Sequence, residues 1–214
     1  MRGPPQMLEP LPEVLPPRKR WPVVSSGLIV ACVAMFLWER LARAGPVMPP
    51  LTLYGPAVRA GEYWRMLGFA LEHGGALHLL FNMSAVYTLG FSLERELGPW
   101  RFAVVSVVTC LGSAAAALYF NFDQPTVGAS GMILGWAGVM LPVSTRAGRQ
   151  NLTSWLVQVA LLSLLPGISW AGHLGGFLFG LPCGLALKQG PAFFRYAAPV
   201  LVFLSAVVCI WIAR

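Results

Sequence analysis

One serine and one histidine in this chain have the residue types and surroundings that nucleophilic catalysis requires. Ser130 lies in the sequence VGASG (127–131), at the head of an apolar run, and His173 lies near the start of a later apolar stretch. A serine hydroxyl is a weak nucleophile until a base removes its proton, and histidine is the usual base. The pair predicts a Ser–His dyad, although Ser130 alone would also suit an ordinary helix cap.

A second pair of polar residues, His78 and Asn82, is spaced four apart and therefore shares one helix face. Polar side chains in a membrane helix face a protein interior or a water-filled cavity. One interpretation is an interhelical hydrogen bond worth about 0.6 kcal/mol. The other is an oxyanion hole, completed by the free N–H groups at the start of the helix that carries Ser130.

Two other mechanisms by which membrane proteins hydrolyse peptide bonds need residues that this sequence does not contain. The single aspartate, Asp123, falls in a predicted loop, so a two-aspartate mechanism has no membrane carboxylates, and no His-Glu-x-x-His motif is present for zinc. The four cysteines lie inside predicted crossings without metal-ligand spacing, so we expect neither a metal nor another cofactor.

The composition indicates a membrane protein, because 57% of the 214 residues are hydrophobic and 11% are charged, against about 25% charged in soluble domains. About 20 apolar residues cross a bilayer as a helix. Long uncharged stretches, the longest broken at Pro166-Gly167, predict an all-α bundle of six helices plus a seventh. The predicted helices cover residues 21–41, 73–93, 101–120, 130–142, 151–165, 170–187 and 196–212.

The basic residues predict an orientation rather than a nucleic-acid surface, despite the net charge of +7. With the N-terminus in the cytoplasm, ten basic residues lie inside: Arg2, Arg18, Lys19, Arg20, Arg95, Arg101, Arg146, Arg149, Lys188 and Arg195. Five lie outside: Arg40, Arg43, Arg59, Arg65 and Arg214. This asymmetry follows the positive-inside rule.

In that topology the polar residues named above lie at a similar depth in the membrane. The helices that carry His78 with Asn82, Ser130 and His173 all run inward from the outside, and each residue lies early in its helix. The helix after Ser130 has about a dozen residues, or about 18 Å against a hydrocarbon core of about 30 Å, so it should start below the outer surface. The irregular backbone before it needs a water-filled cavity or a surrounding of protein.

Small residues predict where the helices pack. Gly172, Gly176, Gly180 and Gly184 repeat at intervals of four and form one stripe on the sixth helix. Such stripes let helix backbones approach closely. We expect this stripe to pack on the fourth helix, which carries Gly131 and Gly135.

The chain divides into three predicted parts. Residues 1–20 are proline-rich and end in Arg-Lys-Arg, which predicts a disordered cytoplasmic tail. Residues 21–187 form the six-helix core, with a loop over about 42–72 lying in the membrane interface. Residues 188–214 form the extra C-terminal transmembrane helix.

The ordered set of these motifs resembles the rhomboid family of intramembrane serine proteases. The resemblance covers roughly residues 55–187 and includes Trp64-Arg65, His78 with Asn82, the GASG of 128–131, and His173 with Gly176 and Gly180. It implies Ser130 as nucleophile and His173 as general base. It also implies an oxyanion hole of His78, Asn82 and the Ser130 N–H, and single-pass transmembrane proteins as substrates, cut within or next to their helix in the lipid bilayer.

Two features depart from the family pattern. Many members carry an aromatic residue four positions after the serine, stacked on the base, and here that position is Leu134. Trp136 or another neighbour would have to take its place. The helix after residue 190 extends the six-helix core.

Two other functions compete with proteolysis. A rhomboid-like protein that binds membrane helices without cutting them typically lacks the serine or the histidine, and this chain keeps both. A transporter would need intramembrane charge or repeated halves, and the sequence has neither. We expect a multi-pass protein of a bacterial plasma membrane with its N-terminus in the cytoplasm, because the tail does not resemble an organelle transit peptide.

Overall fold

The computed structural model describes residues 21–42 and 48–214, so the predicted tail lies outside the described residues. Within these ranges the regular structure is helical, and Leu53 and Thr126 form an isolated antiparallel bridge. Five helical segments are long and apolar enough to cross a membrane. The predicted all-α, polytopic fold is confirmed.

Seven helical segments correspond to the seven predicted crossings. They are α1 (Val23–Ala42), α4 (Ala76–Ala85) continuing through a π-helical turn (Val86–Gly90) into α5 (Phe91–Leu97), α6 (Pro99–Phe120), α7 (Ser130–Val143), α8 (Arg146–Leu162), α9 (Trp170–Lys188) and α10 (Pro191–Ala213). The helix that begins at Ser130 is short, with 14 residues.

Three helices begin three or more residues away from their predicted starts. The second begins at Ala76 rather than His73, because Gly74 and Gly75 before it are not helical. The fifth begins at Arg146 rather than 151, because the Thr145 hydroxyl accepts a hydrogen bond from the Gly148 N–H and caps it. The seventh begins at Pro191, directly after Gly190, rather than at 196.

A buried carboxylate explains why the second helix extends beyond its predicted end at residue 93. Glu94 is 1% exposed and accepts hydrogen bonds from the N–H groups of Val24 and Ser25 and from the Ser25 hydroxyl. It therefore satisfies the start of α1, whose first N–H groups lack partners within the helix. A charged residue at this position belongs to the packed interior rather than to a connecting loop.

The core lies around α7, which is buried continuously from Gly131 to Val139 and packs mainly against α9 and α6. Trp136 is fully buried, donates to the Ser106 hydroxyl at 3.0 Å and contacts the Phe102 ring. The added helix α10 covers α6, and Phe194 is fully buried beside Trp100. The short helix is thus held on most sides by neighbouring helices.

Glycines bring α7 and α9 into direct backbone contact. A Cβ at Gly176 would collide with the Gly131 carbonyl, and a Cβ at Gly180 would collide with the Gly135 carbonyl. Gly172 faces the Ser113 hydroxyl, from which its Cβ would lie 3.0 Å. Side chains at Gly176 and Gly180 would therefore separate the two helices that carry Ser130 and His173.

Residues 48–75, before α4, are folded onto the bundle and include the short helices α2 (Gly55–Arg59) and α3 (Arg65–Gly68) and a 3₁₀ turn (Phe69–Leu71). The Arg65 guanidinium donates to the carbonyls of Pro49 and Thr52, at 2.9 and 2.8 Å, and pairs with Glu62. The buried Glu72 carboxylate accepts from the Leu51 N–H and the Thr52 hydroxyl.

This segment also holds the backbone that leads into α7. Leu53 and Thr126 exchange two backbone hydrogen bonds, at 3.0 and 2.9 Å. The Gly128 N–H donates to the Phe69 carbonyl at 2.9 Å. The position of Ser130 is therefore fixed from one side by the loop and from the other by its own helix.

Candidate active site

Ser130 begins helix α7, and the backbone before it makes a sharp turn. Gly128 has φ +116°, a conformation that side chains disfavour. Its missing side chain also leaves room for His78, because a Cβ there would lie 2.6 Å from His78 Cε1 and 2.7 Å from Nε2. Gly128 thus serves both the turn into the helix and the approach of the histidine ring.

Ser130 and His173 are in hydrogen-bond contact. The Oγ of Ser130 lies 2.8 Å from Nε2 of His173, which is in the first turn of α9. The glycine contacts between α7 and α9 place both residues at the same end of the helix pair. This distance is within the range needed for proton transfer from a serine to a general base.

His78 and Asn82 lie on α4. Asn82 is 5% exposed, and its Nδ2 donates to the His78 carbonyl at 2.8 Å. Its Oδ1 is buried without a hydrogen-bond partner among the described residues. An amide nitrogen carries two protons, so one N–H of Asn82 remains for a ligand.

These residues line one cavity of about 570 Å³. Its polar lining includes His78, Asn82, Ser113, Ser130 and His173, and glycines and apolar side chains form most of the remainder. As the first residue of α7, Ser130 also has a backbone N–H without a partner one turn earlier in the helix. The cavity thus combines a nucleophile, a base and hydrogen-bond donors in an apolar surrounding.

His73 lies in the loop before α4 and is 3% exposed. Its ring contacts the His78 ring edge-on at 5.1 Å between centroids, and its Nδ1 is 3.3 Å from the Leu71 carbonyl. Burial, with a smaller contribution from His78, lowers the pKa of His73 to about 4. The ring is therefore neutral at pH 7 and packs against His78 without adding charge to the cavity.

Sequence reasoning missed one residue that contacts the histidine directly. The Ser163 Oγ, at the end of α8, lies 2.6 Å from His173 Nδ1. Its sequence surroundings, in a leucine-rich run before Pro166-Gly167, gave no signal of this role. Trp136, considered above as a substitute for the missing aromatic, is instead engaged with Phe102 and Ser106.

No group of three or more histidine, cysteine, aspartate or glutamate residues in the described ranges is arranged to hold a metal ion. The four cysteines are buried as free thiols.

The protein thus combines a polytopic helical membrane fold with a serine–histidine contact at the start of a short buried helix. A family model for the rhomboid domain matches residues 60–190. The chain belongs to the rhomboid family.

Curated relatives include proteins from bacteria and plants. The chain is similar to the putative rhomboid protease YdcA of Bacillus subtilis (strain 168), with 32% identity over 175 residues, 78% of this chain and 87% of YdcA. It is similar to RHOMBOID-like protein 5 of Arabidopsis thaliana, with 30% identity over 171 residues, 70% of this chain and 53% of that protein. The rhomboid protease GluP of Bacillus subtilis is 29% identical over 161 residues, 70% of this chain and 32% of GluP. The chain thus spans about half or less of the length of several relatives.

Proposed function

We propose that this protein is an intramembrane serine endopeptidase that uses Ser130 and His173 as a catalytic dyad. The observation that carries the proposal is the 2.8 Å contact between Ser130 Oγ and His173 Nε2 inside a cavity that also holds His78 and Asn82. Membership of the rhomboid family and similarity to relatives named as rhomboid proteases support it.

The first half of the reaction forms an acyl-enzyme. Ser130 Oγ attacks the carbonyl carbon of the scissile peptide bond while its proton passes to His173 Nε2. The carbonyl oxygen becomes an oxyanion, which accepts hydrogen bonds from His78, Asn82 and the Ser130 N–H. The C–N bond then breaks, and the leaving amine takes the proton from His173.

The second half releases the product by hydrolysis. Water entering the cavity gives a proton to His173 Nε2 and attacks the acyl carbon, and the same donors stabilise the second oxyanion. The bond between the acyl carbon and Ser130 Oγ breaks, the product leaves as a carboxylic acid, and His173 returns the proton to the serine oxygen. The nucleophile of the first step, the base and the hydrogen-bond donors are all residues of this chain.

The proposed substrates are single-pass transmembrane proteins that reach the cavity from the lipid bilayer. A peptide bond inside a regular helix is shielded from attack, so residues that destabilise the helix near the cut should favour cleavage. The proposed home is a bacterial plasma membrane, with the N-terminus in the cytoplasm. This orientation is supported by the excess of basic residues at the end of the bundle opposite the cavity.

The test is labelling by a fluorophosphonate probe in detergent together with cleavage of a model transmembrane substrate. Wild type should be labelled and active, and Ser130→Ala and His173→Ala should lose both properties. Ser205→Ala is the matched control, because Ser205 is a buried serine on α10, away from the cavity. Binding of the substrate without Ser130-dependent labelling or cleavage would overturn the proposal and favour an inactive rhomboid-like helix-binding protein.

A further inference from the structure

Ser163 contacts the side of His173 that faces away from Ser130. It is 6% exposed and follows the last residue of α8. Its Oγ lies 2.7 Å from the Val159 carbonyl oxygen and 2.6 Å from His173 Nδ1. The two nitrogens of His173 therefore contact two serine hydroxyls, Ser130 through Nε2 and Ser163 through Nδ1.

A count of protons assigns a direction to these contacts. The Ser163 hydroxyl has one proton, and a carbonyl oxygen can only accept, so the proton of Ser163 goes to Val159. The Ser163 oxygen must then accept from an N–H at His173 Nδ1. In a neutral imidazole the other nitrogen, Nε2, carries a lone pair and accepts the proton of Ser130.

We propose that Ser163 is a positioning residue that holds His173 in the tautomer and ring orientation required of the base. The inference rests on the proposed function and extends it from two residues to a Ser130–His173–Ser163 chain. In serine hydrolases a third group commonly orients the base in this way. Here that group is a neutral hydroxyl, itself oriented by a helix carbonyl.

The surroundings of His173 explain why such a restraint is needed. Leu134 occupies the position from which an aromatic residue would stack on the base, and Leu134 and His173 line a largely apolar cavity of about 340 Å³. Ser163 lines the same cavity. Aliphatic side chains do not fix the orientation of an imidazole ring. The hydrogen bond at Nδ1 therefore sets the orientation of the His173 ring.

The kinetic test compares Ser163→Ala with Ser163→Thr. Ser163→Ala should lower kcat for a model transmembrane substrate by about 10- to 100-fold with KM within about twofold, because the charged imidazolium loses its acceptor. Ser163→Thr keeps the hydroxyl, has the adjoining cavity for its methyl group, and should recover most of kcat. Ser205→Ala is the matched control, since Ser205 is also buried and also donates to the carbonyl four residues earlier.

A structural role for Ser163 would affect the melting temperature and leave kcat of the folded protein unchanged. Wild-type kcat in folded Ser163→Ala would therefore overturn the proposal, as would a loss that Ser163→Thr does not restore.

A spectroscopic test does not depend on activity. The chain has three histidines, so ¹⁵N spectra of the imidazoles can be assigned by comparison with His173→Ala. At pH 8 wild-type His173 should carry its proton on Nδ1, and Ser163→Ala should shift the population toward the Nε2–H tautomer. A proton on Nε2 in wild type would overturn the inference. If wild type fails to label with fluorophosphonate, the proposed function fails, and this spectrum still decides the role of Ser163.

Discussion

Asn82 is a buried residue of the cavity whose side-chain amide has unused hydrogen-bonding groups. One Nδ2 proton is used by the His78 carbonyl, and the buried Oδ1 has no partner among the described residues. A buried amide with an unused donor and acceptor does little for stability, because desolvation of these groups is not compensated. In the proposed mechanism, the same N–H donates to the oxyanion that forms in the cavity.

We therefore predict that Asn82→Ala lowers kcat by about 100-fold and leaves the melting temperature unchanged or higher. Substrate cleavage and thermal unfolding in detergent measure the two effects. Ser84→Ala is the matched control, because Ser84 lies on the same helix, is exposed, and makes a similar bond to the carbonyl four residues earlier. Equal kcat values for the two variants would exclude Asn82 from the oxyanion hole.

At the residue scale, the site residues that could be predicted from the sequence are mostly of amino-acid types that are rare in membrane helices. Histidine and asparagine stand out in an apolar run, so His78, Asn82 and His173 could be named together with Ser130. Ser163 could not, because serine is common in such helices and its role depends on the rotation of α8 relative to α9. Glu94 could not be assigned to the interior either, because the uncharged stretch that predicts the second helix ends at residue 93.

At the scale of the helices, the site depends on the close contact between α7 and α9. The glycine carbonyls of α7 face the glycines of α9, with Gly131 opposite Gly176 and Gly135 opposite Gly180. The stripe of four-residue intervals predicted this contact, since the spacing of residues on a helix face follows from its geometry. The starts of α8 and α10 were less predictable, because both helices extend through charged residues beyond the apolar stretch.

We predict that Gly176→Val destabilises the protein by about 3 kcal/mol and abolishes Ser130 labelling, because its side chain would force α7 away from α9. Thermal unfolding in detergent and fluorophosphonate labelling measure the two effects. Gly27→Ala in α1 is the control, since a Cβ there meets nothing within 4 Å. It should stabilise the protein by about 0.5 to 1 kcal/mol and leave labelling intact. Similar stability for both variants would contradict the packing account.

At the scale of the whole molecule, the two ends of the bundle differ in charge and in chemistry. The helices α4, α7 and α9 begin at the end that holds the cavity. The opposite end carries Arg146 and Arg149 at the start of α8, Lys188 at the end of α9 and Arg195 near the start of α10. If the basic end faces the cytoplasm, the cavity opens toward the outer half of the bilayer.

The four native cysteines make this orientation testable by thiol labelling. All four are buried, with Cys183 and Cys209 at 0%, Cys32 at 1% and Cys110 at 3% exposure, so wild type should give little background. New cysteines can be placed at exposed positions on opposite ends: Gln124→Cys before α7 and Ala147→Cys at the start of α8. One helix, α7, separates these two positions.

We predict that a membrane-impermeant maleimide labels Gln124→Cys in intact cells of a bacterial expression host, and labels Ala147→Cys only after the membrane is permeabilised. The reason is that the arginines beside Ala147 resist transfer across the membrane, whereas the segment around Gln124 carries a single acidic residue, Asp123. Labelling of Ala147→Cys alone in intact cells would reverse the orientation and put the cavity on the cytoplasmic side. Labelling of both would mean that α7 does not separate the two sides, in conflict with an active-site serine below the outer surface.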